Sequence, residues 1–488
     1  MKTRVLLAVM LFLLWGVSAL GQDASQAIID GALKPSAIEK QLRTLTDEIG
    51  GRVPGTPAMD KAVQWGVAAF KEAGADSVVE EPFTIPQSWS EGETNFQIVA
   101  PVQFKVKAVS FAWSPAIPTP LNARVVFVGN GGVEDFAKAG SVAGAIVVAN
   151  TDMLKTWDDL FAEYMNAPGI IDRAVKGKAA VVAFLASREH AVLYRHSHSF
   201  DGRVDVLPIL TVAREDGERI ARLQQSGEKL QARLVMPNKV GGPAKTANVV
   251  AEIRGSELPD EYVILGAHLD SWDLGTGALD DGCNSALVVD ALRAIKQSGA
   301  KPRRTIRFIL FSGEEQGMLG SRAYVAQHRA ELDKIAAVII FDSGIGKVTG
   351  FSLGGRSDVK PVVTPMVAPL NSLGATTLTE DASWGTDNFD FLLEGVPTLV
   401  ANQETGNYLV NYHAVSDTFD KVDIDQLKKH AAIAAWTTFA IANAPDRIGA
   451  RQTREQIGEL MKRTGLEDQM RALGGWDEWE KGSRGRNR

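Results

Sequence analysis

Residues 262–286 read YVILGAHLDSWDLGTGALDDGCNSA, and the reading of this stretch decides the fold. Residues 262–265 form a short apolar run of the kind that makes a buried strand, and the run stops where His268, Asp270, Asp280 and Asp281 begin. In an open parallel sheet, ligands gather beyond the carboxyl ends of the strands, so a His-x-Asp pair at that point faces the crevice. A neutral imidazole can bind a metal through one nitrogen while the other donates to a carboxylate, and Asp270 is spaced to orient His268 in this way. Asp280 or Asp281 then supplies a carboxylate able to bridge two cations.

A His-x-Asp pair is too short to carry this alone, but the flanking sequence repeats the arrangement. Residues 248–253, 306–311, 337–341 and 397–401 are further apolar strands. Residues 284–297 carry helical spacing, with Asn284 as N-cap and Gly299 as the stop. Alternating strands and helices predict an α/β fold with a mainly parallel, mixed sheet flanked by helices. Residues 306–311 run into Ser312-Gly313-Glu314-Glu315, and 337–341 run into Asp342, so three strands deliver acids or imidazole to one edge. His413 follows in the polar segment NYHAVSDTFD. His268, Asp280, Glu315, Asp342 and His413 are a ligand supply suited to two Zn2+ ions sharing one carboxylate. Adjacent residues leaving a strand point apart, so one of Glu314 and Glu315 can bind metal while the other handles a proton.

The 488-residue chain is 45% hydrophobic and 23% charged, enough core for two or three domains of about 100–200 residues. A formal net charge of -7 argues against a nucleic-acid partner, which would favour a basic surface. At the start, Lys2 and Arg4 precede the apolar run VLLAVMLFLLWGVSAL and then Gly21-Gln22. This is the pattern of a signal peptide over residues 1–21, implying export to the periplasm or the extracellular space, with no membrane contact after its removal. Cys283 is the only cysteine and sits beside two acids, which raise a thiol pKa, so it reads as a small buried residue.

Residues 36–48 and 58–73 have helical spacing on either side of the Gly/Pro loop GGRVPGTP, completing a segment 22–95. From 96 to 236 the chain turns β-rich, with FQIVAPVQFKVKAVSF, ARVVFVGNGG, GAIVVANT, AAVVAFLA and VLPILTVA as strands. No helix is read over 152–178, and His190, His196 and His198 read as surface histidines, with no acid or cysteine at ligand spacing. A Gly/Pro linker near 237 opens the segment 237–446. Residues 447–488 form a charged tail, helical at first, whose last dozen residues are expected to fray.

AHLDSW and DDG, FSGEEQGMLGS, FDSG and YHAVSDT resemble the motifs of the zinc exopeptidase family, which includes bacterial double-zinc aminopeptidases, glutamate carboxypeptidase II and carboxypeptidase Q. HLDSWDLGTGALDDG and GTDNFDFLLEGVP carry the likeness beyond the ligands, toward the carboxypeptidase Q branch, and it covers most of 248–444. The resemblance implies a phosphorylase/hydrolase-like catalytic domain interrupted by a protease-associated-like domain at 96–236. It implies that His268 and Asp342 bind one zinc, that Glu315 and His413 bind the other, and that Asp280 bridges them. It makes Asp270 the residue that orients His268 and Glu314 the general base and acid. It also implies a cis peptide between Asp280 and Asp281 and a homodimer, and Asn388 stands where many relatives have histidine.

The expected activity is hydrolysis of small peptides near a free chain end, as an aminopeptidase or dipeptidase. Carboxypeptidase specificity, glutaminyl-cyclase-type acyl transfer and a non-catalytic binding protein are the alternatives. The complete ligand set argues against the last, and the β-rich insertion argues against the cyclases. The terminus would be held by a carboxylate or by a cationic side chain. Arg356, Lys347, Asp387 and Glu404 sit in loops able to reach the site, although each reads more readily as an ordinary surface charge, and the sequence does not choose among them.

Overall fold

The computed structural model describes residues 24–487, so the signal peptide expected at 1–21 lies outside the described residues. An eight-stranded sheet runs, in spatial order, Ser77–Ile85, Ala244–Ile253, Arg304–Phe311, Leu258–His268, Ile335–Ile340, Thr398–Gln403, Val348–Ser352 and Thr377–Thr379. The four central strands, Arg304–Phe311 through Thr398–Gln403, are parallel, while Ala244–Ile253 and Val348–Ser352 join them antiparallel, so the sheet is mixed.

Arg304–Phe311 and Ile335–Ile340 are buried at every position. A parallel strand covered on both faces needs apolar side chains on both, so it reads as a continuous run rather than an alternation. Val263, Leu265, Ala267, Phe308, Leu310 and Ile339 face one core layer. There they meet the helices Cys283–Ser298 and Ile424–Asn443. Ile264, Ile309, Phe311, Val338 and Ile340 point the other way, toward Tyr324 and Phe391. Gly266 is required by this packing, because a Cβ there would lie 2.6 Å from the Phe311 ring.

Cys283–Ser298 ends at Gly299 in the left-handed conformation, as expected. Its start differs from the expectation. Asn284 lies inside the first turn rather than at the cap, and its amide donates to Asp281 Oδ1 at 2.5 Å. Cys283 is fully buried, and burial together with Asp281 pushes its thiol well above the usual range.

A second eight-stranded sheet is built from strands lying between Asn95 and Met236. Ile117–Phe127, Ile146–Ala149, Val181–Leu185 and Ile209–Val212 run parallel, and the strands beside them are antiparallel. Parallel neighbours need crossover connections, and the helices Val133–Ala139 and Trp157–Lys176 serve as two of them. The second corrects the reading of 152–178 as irregular. Thr156 and Asp159 form a capping box, and the helix then carries Pro168 in its interior, where a sequence reading expects a break.

The carboxyl-terminal segment is helical at first, as its spacing implied, but the residues after 476, expected to fray, are docked as well. Helices Arg454–Thr464, Leu466–Leu473 and Trp476–Lys481 bury Ile457, Leu460, Met470 and Trp479 against Phe389, Leu392 and Leu393. Arg484 closes the arrangement with two bonds to Asp390, at 2.8 and 2.7 Å, both side chains being buried. Removing one partner of such a pair leaves an uncompensated buried charge, so Arg484→Met is expected to cost of order 3 kcal/mol. A denaturant melt reads this directly, and an unchanged midpoint would mean that the tail is only loosely docked.

Candidate metal centre

His268 ends its strand and is held from three sides. Its main-chain N–H donates to Asp281 Oδ2 at 3.1 Å, its carbonyl accepts from Ser285 Oγ at 2.7 Å, and its Nδ1 lies 2.9 Å from the Asp270 carbonyl oxygen. Nε2 is thereby turned to the acids, 3.2 Å from Asp280 Oδ1 and 3.5 Å from Asp342 Oδ1. The other Asp280 oxygen lies 3.3 Å from His413 Nε2, and that nitrogen is 2.9 Å from Glu315 Oε2. One carboxylate thus faces an imidazole with each of its oxygens, the disposition of a bridging ligand. All five expected ligands meet in one crevice at the carboxyl ends of the parallel strands.

This crevice is rich in uncompensated acid. Asp280 Oδ2 and Glu315 Oε1 are buried without a hydrogen-bond partner. Burial and Asp342 push the Glu314 carboxyl well up, against the pull of His268. Burial works against charge on His413, but Glu315 and Asp280 outweigh it and lift the imidazole to about 9. Buried carboxylates and imidazoles with unsatisfied atoms directed at one point fit a divalent cation that accepts N and O ligands. Among the described residues, His268 with Asp280 and Glu315, and His268 with Asp281 and Asp342, are the two groups of three such side chains whose donor atoms lie within 4.8 Å of one another. Asp281 is the weaker ligand of the adjacent pair, because its two oxygens already accept from the His268 N–H and the Asn284 amide. Glu314 belongs to neither group.

Asp270 departs from the expected role in one respect. Its carboxylate is 3.7 Å from His268 Nδ1, farther than its own carbonyl oxygen. Instead it accepts the main-chain N–H groups of Gly313, Glu314 and Glu315 at 2.7, 3.2 and 3.3 Å. Asp270 therefore joins the loop after one strand to the turn after its neighbour. The Asp280–Asp281 peptide is cis, as the resemblance implied.

Three further residues escape a sequence reading. Asp417, in the quoted YHAVSDT, accepts from the main chain of Ala278, Leu279 and Asp280 at 3.1, 2.6 and 3.1 Å. Arg52, in GGRVPGTP, is fully buried and donates to the carbonyls of Leu269, Gly50, Thr276 and Gly277. His196 corrects the reading of three surface histidines. It is buried, with Nδ1 3.2 Å from His413 Nδ1, whereas His190 is exposed and His198 pairs with Asp205. Burial lowers the His196 imidazole to about 4.

Of the residues able to hold a chain terminus, Arg356 is buried against Asp358, and Lys347 and Glu404 are exposed. Asp387 is buried and pushed up to about 8, by its burial first and also by Asp270 and Asp342, against the pull of Ser321 and His268. Asn388 opens the helix Asn388–Leu393, and its amide lies 3.4 Å from Thr398 Oγ1.

Imidazoles and carboxylates loaded onto one edge of an α/β sheet define a metal-dependent hydrolase. Residues 248–438 match the profile of Peptidase family M28. The chain is 29% identical over 434 residues to rat carboxypeptidase Q, covering 88% of this chain and 90% of the relative. Its structure is similar to that of a Peptidase M28 precursor from Shewanella amazonensis SB2B, with a TM-score of 0.81, 27% identity and coverage of 89% and 99% of the two chains. The zinc aminopeptidase BSAP from Bacillus subtilis shares the fold, with a TM-score of 0.64, 19% identity and coverage of 82% and 93%. The chain carries a Peptidase family M28 domain and is a metallo-exopeptidase, as its motifs implied.

Proposed function

We propose that this chain is an exported two-zinc exopeptidase that removes residues from the amino end of small peptides, as an aminopeptidase or dipeptidase. The observation that carries the zinc reading is Asp280, with one oxygen 3.2 Å from His268 Nε2 and the other 3.3 Å from His413 Nε2. His268 and Asp342 would hold one ion and Glu315 and His413 the other, with Asp280 available to both. When bound, the zinc ions supply Lewis-acid activation of the scissile carbonyl and of the attacking water. Glu314 accepts the proton of that water and passes it to the departing amine. Asp270 fixes the Glu314-Glu315 turn through its three main-chain bonds, which keeps the ligand and the base pointing apart.

The choice of the amino end rests on charge. An α-ammonium needs a carboxylate and an α-carboxylate needs a cation. Asp387 is a buried carboxylate that interacts with His268, Asp270 and Asp342. Of the buried guanidinium groups, Arg52 is committed to four carbonyls, Arg195 to Glu91 and Asp273, Arg188 to the carbonyls of Leu409 and Tyr412, and Arg356 to Asp358. We read 1–21 as the export signal, 22–95 with 237–446 as the catalytic domain, 96–236 as a protease-associated-like insertion and 447–488 as a docked tail. Among the described residues no helix is long and apolar enough to cross a membrane. A homodimer is the assembly that the family resemblance suggests.

The test is zinc content by mass spectrometry together with hydrolysis of dipeptides carrying free or blocked termini. About two zinc ions per chain and loss of cleavage on amino blocking are expected. Loss on carboxyl blocking alone would convert the assignment to a carboxypeptidase. Cyclisation of an amino-terminal glutamine would convert it to acyl transfer. No zinc and no turnover after zinc is restored would leave a binding protein.

A further inference from the structure

His413 carries one of the candidate ligands on an unusual backbone, with φ of 58°, a conformation rare outside glycine. Something must hold it there, and the bonds that do so come from the second sheet's segment rather than from the strands of the first. The Arg195 N–H donates to the His413 carbonyl at 3.0 Å, and the Val415 N–H donates to the Leu193 carbonyl at 3.0 Å. Tyr194 and Ala414 between them form an antiparallel bridge. Arg188 donates to the carbonyls of Leu409 and Tyr412, both at 3.1 Å. Arg195 reaches the other metal-bearing loop as well, with Nε 2.9 Å from Asp273 Oδ1, while its Nη2 bonds Glu91.

The side chains continue the same grip. The Tyr412 ring stacks on His413 at 3.7 Å, and Tyr164 Oη lies 3.1 Å both from Tyr412 Oη and from His196 Nδ1. His413 Nε2 faces Asp280 and Glu315, so a neutral imidazole using that nitrogen as a ligand carries its proton on Nδ1. The atom waiting 3.2 Å away is His196 Nδ1, which must then be an acceptor. A neutral His196 that accepts at Nδ1 carries its own proton on Nε2, and Nε2 is 3.3 Å from the Glu163 carboxylate. Glu163 is in turn held by Tyr194. The Nδ1 atoms of His413 and His196 are at hydrogen-bond distance, and His196 Nε2 lies beside the Glu163 carboxylate in an ion-pair contact rather than an aligned hydrogen bond.

We propose that His196, contributed by the insertion, is a positioning residue for the peptidase reaction. It fixes the tautomer and the ring orientation of His413, and Glu163 fixes those of His196. The inference rests on the two-zinc reading above. It assigns the insertion a role in assembling the metal centre, beyond any role it has in covering the cleft.

The experiment compares His196→Leu with His196→Asn in the full chain. The asparagine keeps a side-chain oxygen near the position of Nδ1 and the leucine removes it. The measurements are zinc retention against a chelator, the visible spectrum of the cobalt-substituted protein, and kcat and KM on a dipeptide that the unmutated protein cleaves. Roughly 10–100-fold weaker retention of one ion and a kcat loss of similar size are expected for His196→Leu, with KM little changed. An altered cobalt spectrum and substantial recovery in His196→Asn are also expected. If the leucine variant does not fold, Glu163→Gln is expected to weaken retention of the same ion, and unchanged retention there overturns the proposal. A folded His196→Leu that keeps both ions with native retention and native kcat overturns it too. An unmutated protein that binds fewer than two ions removes the two-zinc reading and this inference with it, a result distinguishable from failure of the His196 variants alone.

Discussion

Glu314→Gln is expected to lose about 10²–10⁴-fold in turnover while keeping its zinc. The substitution is close to isosteric and changes only the ability to take up and release a proton. Glu314 and Glu315 sit in one turn, yet the Asp270 carboxylate fixes the main chain of both, so their side chains cannot exchange places. Glu315 is drawn to His413 at 2.9 Å, while Glu314 stands outside both candidate ligand groups. Burial and the neighbouring Asp342 push the Glu314 carboxyl well up, against the pull of His268, so its ionised form is a stronger base than a free carboxylate. The check is kcat on a cleaved dipeptide alongside zinc content. Full activity would remove Glu314 from the chemistry, whereas activity lost together with zinc would make it a ligand. Glu315→Gln is the control, in which weakened zinc retention is the expected primary defect.

The parts of this molecule that were legible in its sequence are those in which one physical requirement dominates. The carboxyl-terminal halves of the strands ending at His268, Phe311 and Ile340 are buried on both faces, so they read as continuous apolar runs. The ligands follow because polar residues immediately beyond such strands have few places to go except the crevice. The helix Trp157–Lys176 was hidden by Pro168, whose usual effect on a helix interior is overridden here by burial of Ile170, Ile171 and Ala174.

His196 was hidden for a different reason. Its partner is 217 residues away, and nothing local distinguishes a histidine that meets another histidine from one that meets water. The carboxylate of Asp270 was read by its nearest titratable neighbour, 3.7 Å away, but it also satisfies main-chain donors. Main-chain N–H groups outnumber imidazoles in any loop and leave no mark on the sequence.

Arg52 belongs to the same hidden class, and its removal is expected to produce the largest loss of stability. Arg52→Met leaves the carbonyls of Leu269, Gly50, Thr276 and Gly277 without the donor that now satisfies them at 2.7, 3.0, 2.8 and 2.9 Å. An orphaned buried carbonyl costs about 1–3 kcal/mol, and the bonds to Leu269 and Gly277 are fully buried, so a loss of about 2–6 kcal/mol is expected. The charge matters as well. Burial lowers the Arg52 guanidinium to about 10, yet Asp417, Asp270, Asp281 and Asp280 oppose that shift, which makes Arg52 the fixed cation of an acid-rich loop. Arg52→Lys restores the charge but not the planar fork that reaches several carbonyls at once, so it is expected to recover only part of the loss. Because the stapled loop runs from Leu269 to Gly277, between His268 and Asp280, zinc retention should fall in step with stability in both variants. Chemical denaturation and zinc retention against a chelator measure the two quantities separately. Stability lost with native zinc retention would mean that Asp417, through its bonds to Ala278, Leu279 and Asp280, holds the bridging carboxylate without help from Arg52.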